Sequence, residues 1–274
     1  MPKVSFIIPY FNAGNTIDET IASIAEQPFK DFDIWIINDG STDEESITKL
    51  RLLKQNPLIT VLEQSNSGPS IARNRAIRLS SAKYIVPLDA DDKITSDALQ
   101  KSVAILDAEN QIGAVYGNLR FFGERNDVKV QNTFAPEKQF LWNQIAVTAL
   151  IRKEVFETIG YYDEFLSKPG LEDWEFWIRF GKSSWIAKKI EIDWCLIRVD
   201  YGSRTFSVAN KNIDKIKEYV YSKHGAYLAL FYEKLYYEKK QAFETPDFKI
   251  GNIILHPYRI LKKIVERWHI SLRK

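Results

Sequence analysis

The chain is poor in cysteine, histidine and long apolar runs, and each shortage excludes something. One cysteine in 274 residues, Cys195, permits no internal disulfide and fits a reducing compartment. The three histidines, His224, His256 and His269, share no metal-type spacing and read as ordinary residues. No apolar stretch approaches the ~20 residues that span a bilayer. The opening MPKVSFIIPYF lacks the apolar core and small-residue cleavage site of a signal peptide, so a cytoplasmic location is expected. The dinucleotide pattern GxGxxG and the phosphate-loop pattern GxxxxGK[ST] are both absent, as is any nucleic-acid reader motif. No Gly/Pro/Ser-rich linker, internal repeat or low-complexity segment interrupts the chain.

Net charge is scarce too, because 38 Lys and Arg face 36 Asp and Glu. That balance hides an asymmetry. Residues 211–274 carry a net +7 and the first 210 residues a net −5, with +6 concentrated in 249–274. A basic tail of this kind faces an anionic partner. With 45% apolar and 27% charged residues the composition is that of a globular protein with a sizeable core.

The first 120 residues alternate short apolar runs with helical patterns. Strands are expected at Val4–Pro9, Asp33–Asn38, Leu58–Leu62, Tyr84–Leu88 and Gly113–Asn118. Helices are expected after the capping-box patterns Thr16–Glu19 and Ser41–Glu44, at Ser70–Leu79, and near Ser96–Glu109 with Thr95 or Ser96 as its cap. Alternation of this kind predicts an α/β fold with a mostly parallel sheet covered by helices, and ligands outside the carboxyl ends of the strands. Further on, Phe121–Phe134 reads as short strands or loop, Glu172–Phe180 as helix, Asp193–Val199 as strand and Ala209–Phe243 as helix. The expected organisation is a catalytic domain over 1–208, with halves 1–120 and 121–208, and a helical basic appendage over 209–274.

The strand ends carry the candidate chemistry. They read Pro9-Tyr10-Phe11-Asn12, then Asn38-Asp39-Gly40-Ser41, then Asn66-Ser67-Gly68-Pro69, then Asp89-Ala90-Asp91-Asp92. Asn, Asp, Gly, Ser and Pro are ordinary turn residues, and the first three endings need no other explanation. Three carboxylates in four residues repel one another unless a cation or hydrogen-bond donors offset them. Asp89 and Asp91 point to one side of an extended chain, and oxygen ligands suit Mg²⁺ or Mn²⁺. Acids complementing a helix dipole are the alternative. An EF-hand does not fit, since Ile94 stands where its glycine belongs and Gln100 where its glutamate belongs. Arg73, early in a helix after a glycine loop, is the natural partner of a diphosphate; a solvated surface arginine is the competing reading.

The ordered blocks SFIIPYFN, INDGSTD, NSGPSIARNRAI, VPLDADD and GLEDWEFWIRF resemble an inverting nucleotide-sugar glycosyltransferase of family 2, with the GT-A fold, over roughly residues 4–180. The resemblance implies that Asp39 contacts the base and that Pro9, Tyr10 and Asn12 pack around the nucleoside. It implies that Arg73 lies near the diphosphate and that Asp89, Asp91 and Asp92 form a DxD-type ribose and metal site, with Asp91 and Asp92 on Mn²⁺ or Mg²⁺. Asp173 matches the catalytic base, Glu172 a supporting or acceptor contact, and Trp174 a packing residue or acceptor platform. Asn38 departs from the aspartate more usual before Asp39. Tyr201 stands where a closing loop often carries histidine, which leaves Arg198, Ser203 or Arg204 to reach phosphate. The implied donor is a UDP-sugar and the implied acceptor a glycan or lipid-linked saccharide, in polysaccharide assembly. Two other readings compete: a sugar nucleotidyltransferase, whose Gly-rich signature is replaced here by Asn12-Ala13-Gly14-Asn15, and a silent nucleotide-sugar or glycan binder, which would not need Asp89, Asp91 and Asp173.

In the tail, Ile260, Leu261, Ile264, Val265 and Trp268 share one helical face, among Arg259, Lys262, Lys263 and Arg267. Such a helix suits either peripheral contact with an anionic membrane or packing on the domain.

Overall fold

A computed structural model describes residues 1–200 and 210–230, with 233 and 237. The chain divides into a unit spanning Met1–Val220 and a unit spanning Tyr221–Lys274. In chain order the elements are β1 (Val4–Tyr10), α1 (Ile17–Ala25), β2 (Phe32–Asn38), α2 (Glu44–Leu53), β3 (Ile59–Glu63), α3 (Pro69–Leu79), β4 (Tyr84–Pro87), β5 (Lys93–Ile94) and α4 (Ala98–Ala108). They continue with β6 (Ile112–Gly123), β7 (Val128–Lys129), β8 (Leu150–Arg152), α5 (Lys153–Ile159), α6 (Glu172–Gly181), β9 (Ile186–Val199) and α7 (Asn210–Lys223).

Among the described residues the strands form one sheet in the order β3-β2-β1-β4-β8-β6-β9-β5, with β7 beside β6. The strands β3, β2, β1 and β4 pair in parallel, whereas β8 runs antiparallel to both its neighbours. The period-2 geometry of a strand explains the layering. Along β1, Val4, Phe6, Ile8 and Tyr10 enter one core with Ile17 and Ile24 of α1, while Ile7 enters a second core with Ala72, Ala76 and Ile77 of α3. Both faces of the strand are buried, so its sequence is continuously apolar. The second core is completed by Val155 and Phe156 of α5 and by Phe176, Trp177 and Phe180 of α6.

Several local expectations are corrected. The box at Thr16–Glu19 does not close: Thr16 occupies the N-cap position without a capping bond, and its hydroxyl donates to Ala90 O at 3.0 Å. The cap of α2 is Asp43, which accepts from Ser46 N at 2.8 Å, because Ser41 instead accepts from Asn12 N. Neither Thr95 nor Ser96 caps α4. Thr95 Oγ1 donates to Asp193 O at 2.5 Å, and the N-cap position falls to Asp97, which makes no side-chain bond. The strand expected at Gly113–Asn118 extends to Gly123, and the one expected at Asp193–Val199 begins at Ile186. The sequence reading missed β5, β8 and α5.

Candidate active site

Strand order fixes where a site opens. The chain leaves β1 toward β2 on one side but enters β4 on the other, so the connections diverge between β1 and β4 and leave a crevice at their carboxyl ends. A cleft of about 1080 Å³ lies there. Its lining includes Pro9, Tyr10, Phe11, Asn12, Asp39, Arg73, Asp89, Asp91, Asp92, Glu172 and Asp173. Residues from five separate stretches of sequence thus meet in one place.

On one side, the turn after β1 is clasped to the turn after β2. Asn12 has a positive φ of 50°, which asparagine tolerates better than most residues, and its Oδ1 accepts from Thr42 N at 2.8 Å. Asp39 is 4% exposed, and its carboxylate organises the loop after β3. It accepts from Gln64 Nε2 and Ser67 N at 2.8 Å each, and from Gly68 N at 2.7 Å. The ring of Tyr10 is buried and its hydroxyl donates to Ser46 O, whereas the next side chain along, Phe11, is 47% exposed at the cleft.

Gly68 precedes α3 with φ +90°, and a Cβ there would sit 2.5 Å from Ser167 Oγ. The close approach has a purpose. Ser167 Oγ accepts from Ser70 N at 3.1 Å and Ile71 N at 3.3 Å, capping a helix whose own N-cap residue is a glycine.

Arg73, one turn into α3, is 2% exposed and joins the two sides of the cleft. Nη2 donates to Asp89 and Nη1 to Glu172, and the guanidinium lies over the Tyr162 ring, 5.8 Å from its centroid. Burial works against the charge of Arg73, but Asp89 and Glu172 outweigh it and raise its pKa above the ordinary value.

The remaining acids of the β4 turn differ from Asp89. Asp91 is half-buried, and Arg198 Nε meets its backbone carbonyl at 3.3 Å rather than its carboxylate. Burial, then the neighbouring Asp89, push Asp91 up to about 6. Asp92 is buried, accepts from Arg198 N at 2.9 Å, and is raised well above the usual range by burial and then by Asp91. These oxygen donors fit a hard divalent cation, whose charge would offset the crowding of Asp89 and Asp91 that Arg198 relieves only in part. Among the described residues no group of three or more His, Cys, Asp or Glu is arranged to hold a metal by itself. A two-carboxylate set of this kind leaves positions for water and phosphate.

The opposite wall is the start of α6. Leu171, its N-cap residue, sits in the left-handed region at φ 60°, a rare conformation for a bulky side chain, and Glu172 and Asp173 follow it into the cleft. Asp173 Oδ2 accepts from Asn143 Nδ2 at 2.7 Å, and Oδ1 from Trp174 N at 2.9 Å. Burial, then Glu172, push Asp173 up to about 7. Trp174 does not line the cleft. It is 3% exposed and its indole donates to Gln139 O at 2.5 Å, so it packs behind the wall and offers no platform to a ligand.

Phe11 belongs to the Pro9–Asn12 turn singled out in the sequence, and its side chain is exposed at the cleft. One residue beside the site escaped the sequence reading. Asn143 carried no signal, because it belongs to no motif. Tyr201, Ser203 and Arg204, along with the tail helix, His256 and His269, lie outside the described residues. No helix of the described residues is long and apolar enough to cross a membrane.

Comparison with known proteins bears on the family and the fold. The family model described as "Glycosyl transferase family 2" matches residues 5–166. An uncharacterized glycosyltransferase of Rickettsia bellii is 28% identical over 84% of this chain and 34% of its own length. Another, from Rickettsia conorii, is 30% identical over 84% of this chain and 38% of its own length. The chain therefore spans little more than a third of these curated relatives. The crystal structure of S. aureus TarS 1-349 in complex with UDP-GlcNAc has a TM-score of 0.62 at 18% identity, covering 75% of this chain and 61% of that one. The likeness shows a shared GT-A-type fold.

Proposed function

The chain belongs to glycosyl transferase family 2, and from that premise we propose that it moves a sugar from a nucleoside diphosphate to a saccharide hydroxyl, inverting the anomeric carbon. The observation that carries the reading is the meeting of Asp39, Arg73 and Asp91 in one cleft with Asp173 on its far wall. Departure of the diphosphate concentrates negative charge, and Arg73 is held cationic where that charge collects. Mn²⁺ or Mg²⁺ would be held by Asp91 with Asp92, and when bound would neutralise part of the same charge. Asp173 takes the proton of the acceptor hydroxyl, whose oxygen forms the new bond to the anomeric carbon as the bond to the diphosphate breaks. One displacement of this kind inverts the configuration.

The donor we assign is a UDP-hexose or UDP-N-acetylhexosamine. Its support is Asp39, which fits a pyrimidine edge, and the UDP-GlcNAc complex described for TarS, which shares the fold. The acceptor we assign is a glycan or lipid-linked saccharide at the cytoplasmic face, in keeping with the net +6 of residues 249–274.

A calorimetric panel of UDP-, GDP- and TDP-sugars, with and without Mn²⁺, tests the reading. A UDP-sugar should raise the melting temperature with Mn²⁺ present, and Asp91→Ala should lose the metal-dependent part of that rise. A panel in which no nucleotide sugar moves the transition would overturn the proposal.

A further inference from the structure

Asp173 carries a burden that its place in the cleft does not relieve. Burial and Glu172 both favour its protonated form, in which it accepts no proton. Among the described residues, the groups set against it are Glu172 on its own helix, Arg73 from α3, and the Tyr162 hydroxyl, itself raised chiefly by burial. Asn143 adds a direct bond from another part of the chain.

A carboxamide beside a carboxylate helps only if its NH₂ end faces the acid. Here that orientation follows from backbone groups whose identities are fixed. Ala135 N donates to Gln144 Oε1 at 3.0 Å, and Gln144 Nε2 donates to Ala135 O at 2.7 Å, which sets the Gln144 side chain one way round. Gln139 Oε1 accepts from Gln144 N at 3.1 Å and from Gln144 Nε2 at 3.3 Å, so the other end of Gln139 must be its nitrogen. Gln139 Nε2 then donates to Asn143 Oδ1 at 3.0 Å. With its oxygen occupied, Asn143 presents Nδ2 to Asp173 Oδ2 at 2.7 Å. Gln139 is fully buried and Gln144 nearly so, and a flipped amide at either would set like ends against each other where water cannot compensate.

We propose that Gln144, Gln139 and Asn143 form a relay of three oriented carboxamides that holds an N–H donor on Asp173 and so keeps it available as the proton acceptor. The inference rests on the reading of Asp173 as the base. The three amides are positioning residues: they touch neither donor nor acceptor, and they transfer no proton.

The test measures the carboxylate directly, by titrating protein carrying ¹³C-carboxyl aspartate, with the Asp173 resonance assigned through Asp173→Asn. Asn143→Ala removes the donor and should raise the Asp173 midpoint by about one pH unit, the worth of one hydrogen bond to a charged group. Asn143→Asp keeps the shape, replaces the donor with an acceptor, and should raise it further. Gln139→Met frees the Asn143 amide to turn and should give a smaller rise in the same direction. A midpoint unmoved in Asn143→Ala and Asn143→Asp would overturn the relay. If the midpoints move as stated while Asp173→Asn retains transfer, the relay stands and the assignment of Asp173 as base falls.

Discussion

The two walls of the cleft are built by different means. The wall formed by the turns after β1, β2 and β4 is organised by side chains that gather backbone amides, such as Asp39 accepting from Ser67 N and Gly68 N. The wall at the start of α6 is organised by bonds between one side chain and another, with Arg73 donating to Glu172 and Asn143 to Asp173. The difference suggests a division of labour. On the proposed reading, the first wall cradles the nucleotide and the second sets the charge of the reacting group.

The strongest test of that division is Asp173→Asn. It should cut turnover by about 10²–10⁴-fold while calorimetry finds donor affinity unchanged. Loss of donor affinity with transfer retained would place Asp173 on the other wall. Arg73→Met should blur the distinction, because it leaves Asp89 and Glu172 unpaired on both sides. It should cost about 3–5 kcal/mol in denaturant unfolding, and donor binding with it. Gly68→Ala should cost about 1–3 kcal/mol, from the forced positive φ and the collision with Ser167.

The smallest effect should be the most specific. Burial raises the Asp173 carboxyl to about 7 in the folded chain, against 3.8 for an ordinary aspartate. Between those values the unfolded chain gives up a proton that the folded chain keeps, so stability falls as pH rises through the window. Asp173→Asn removes this penalty. It should raise the melting temperature by a few degrees at pH 8 and by nothing near pH 4. A stabilisation independent of pH would mean that the carboxyl is not perturbed.

The same division explains what the sequence could reveal. The strand ends were legible because turn residues cluster beside apolar runs, and the acids of Asp89–Asp92 stood out by mutual repulsion. Strand β8 was not legible: it has only three residues, and one is Arg152, whose charge hides a buried position where it donates to Leu106 O and Ile112 O. The failed box at Thr16 shows the limit of local rules, since a hydroxyl goes to its best available acceptor, and Ala90 O comes from 74 residues away. Asn143 acquires meaning only once α6 is folded beside it.

The borrowed cap of α3 has a consequence for how this protein can be dissected. Ser167 lies one residue beyond the stretch that the family model matches, yet it satisfies amides at the head of a helix almost a hundred residues earlier. A fragment cut at residue 166 would keep every nucleotide-facing turn but lose the hydroxyl that secures the arginine-bearing helix, at a cost of about 1 kcal/mol. The helix that presents Arg73 is capped only when the segment carrying Ser167 packs against its head.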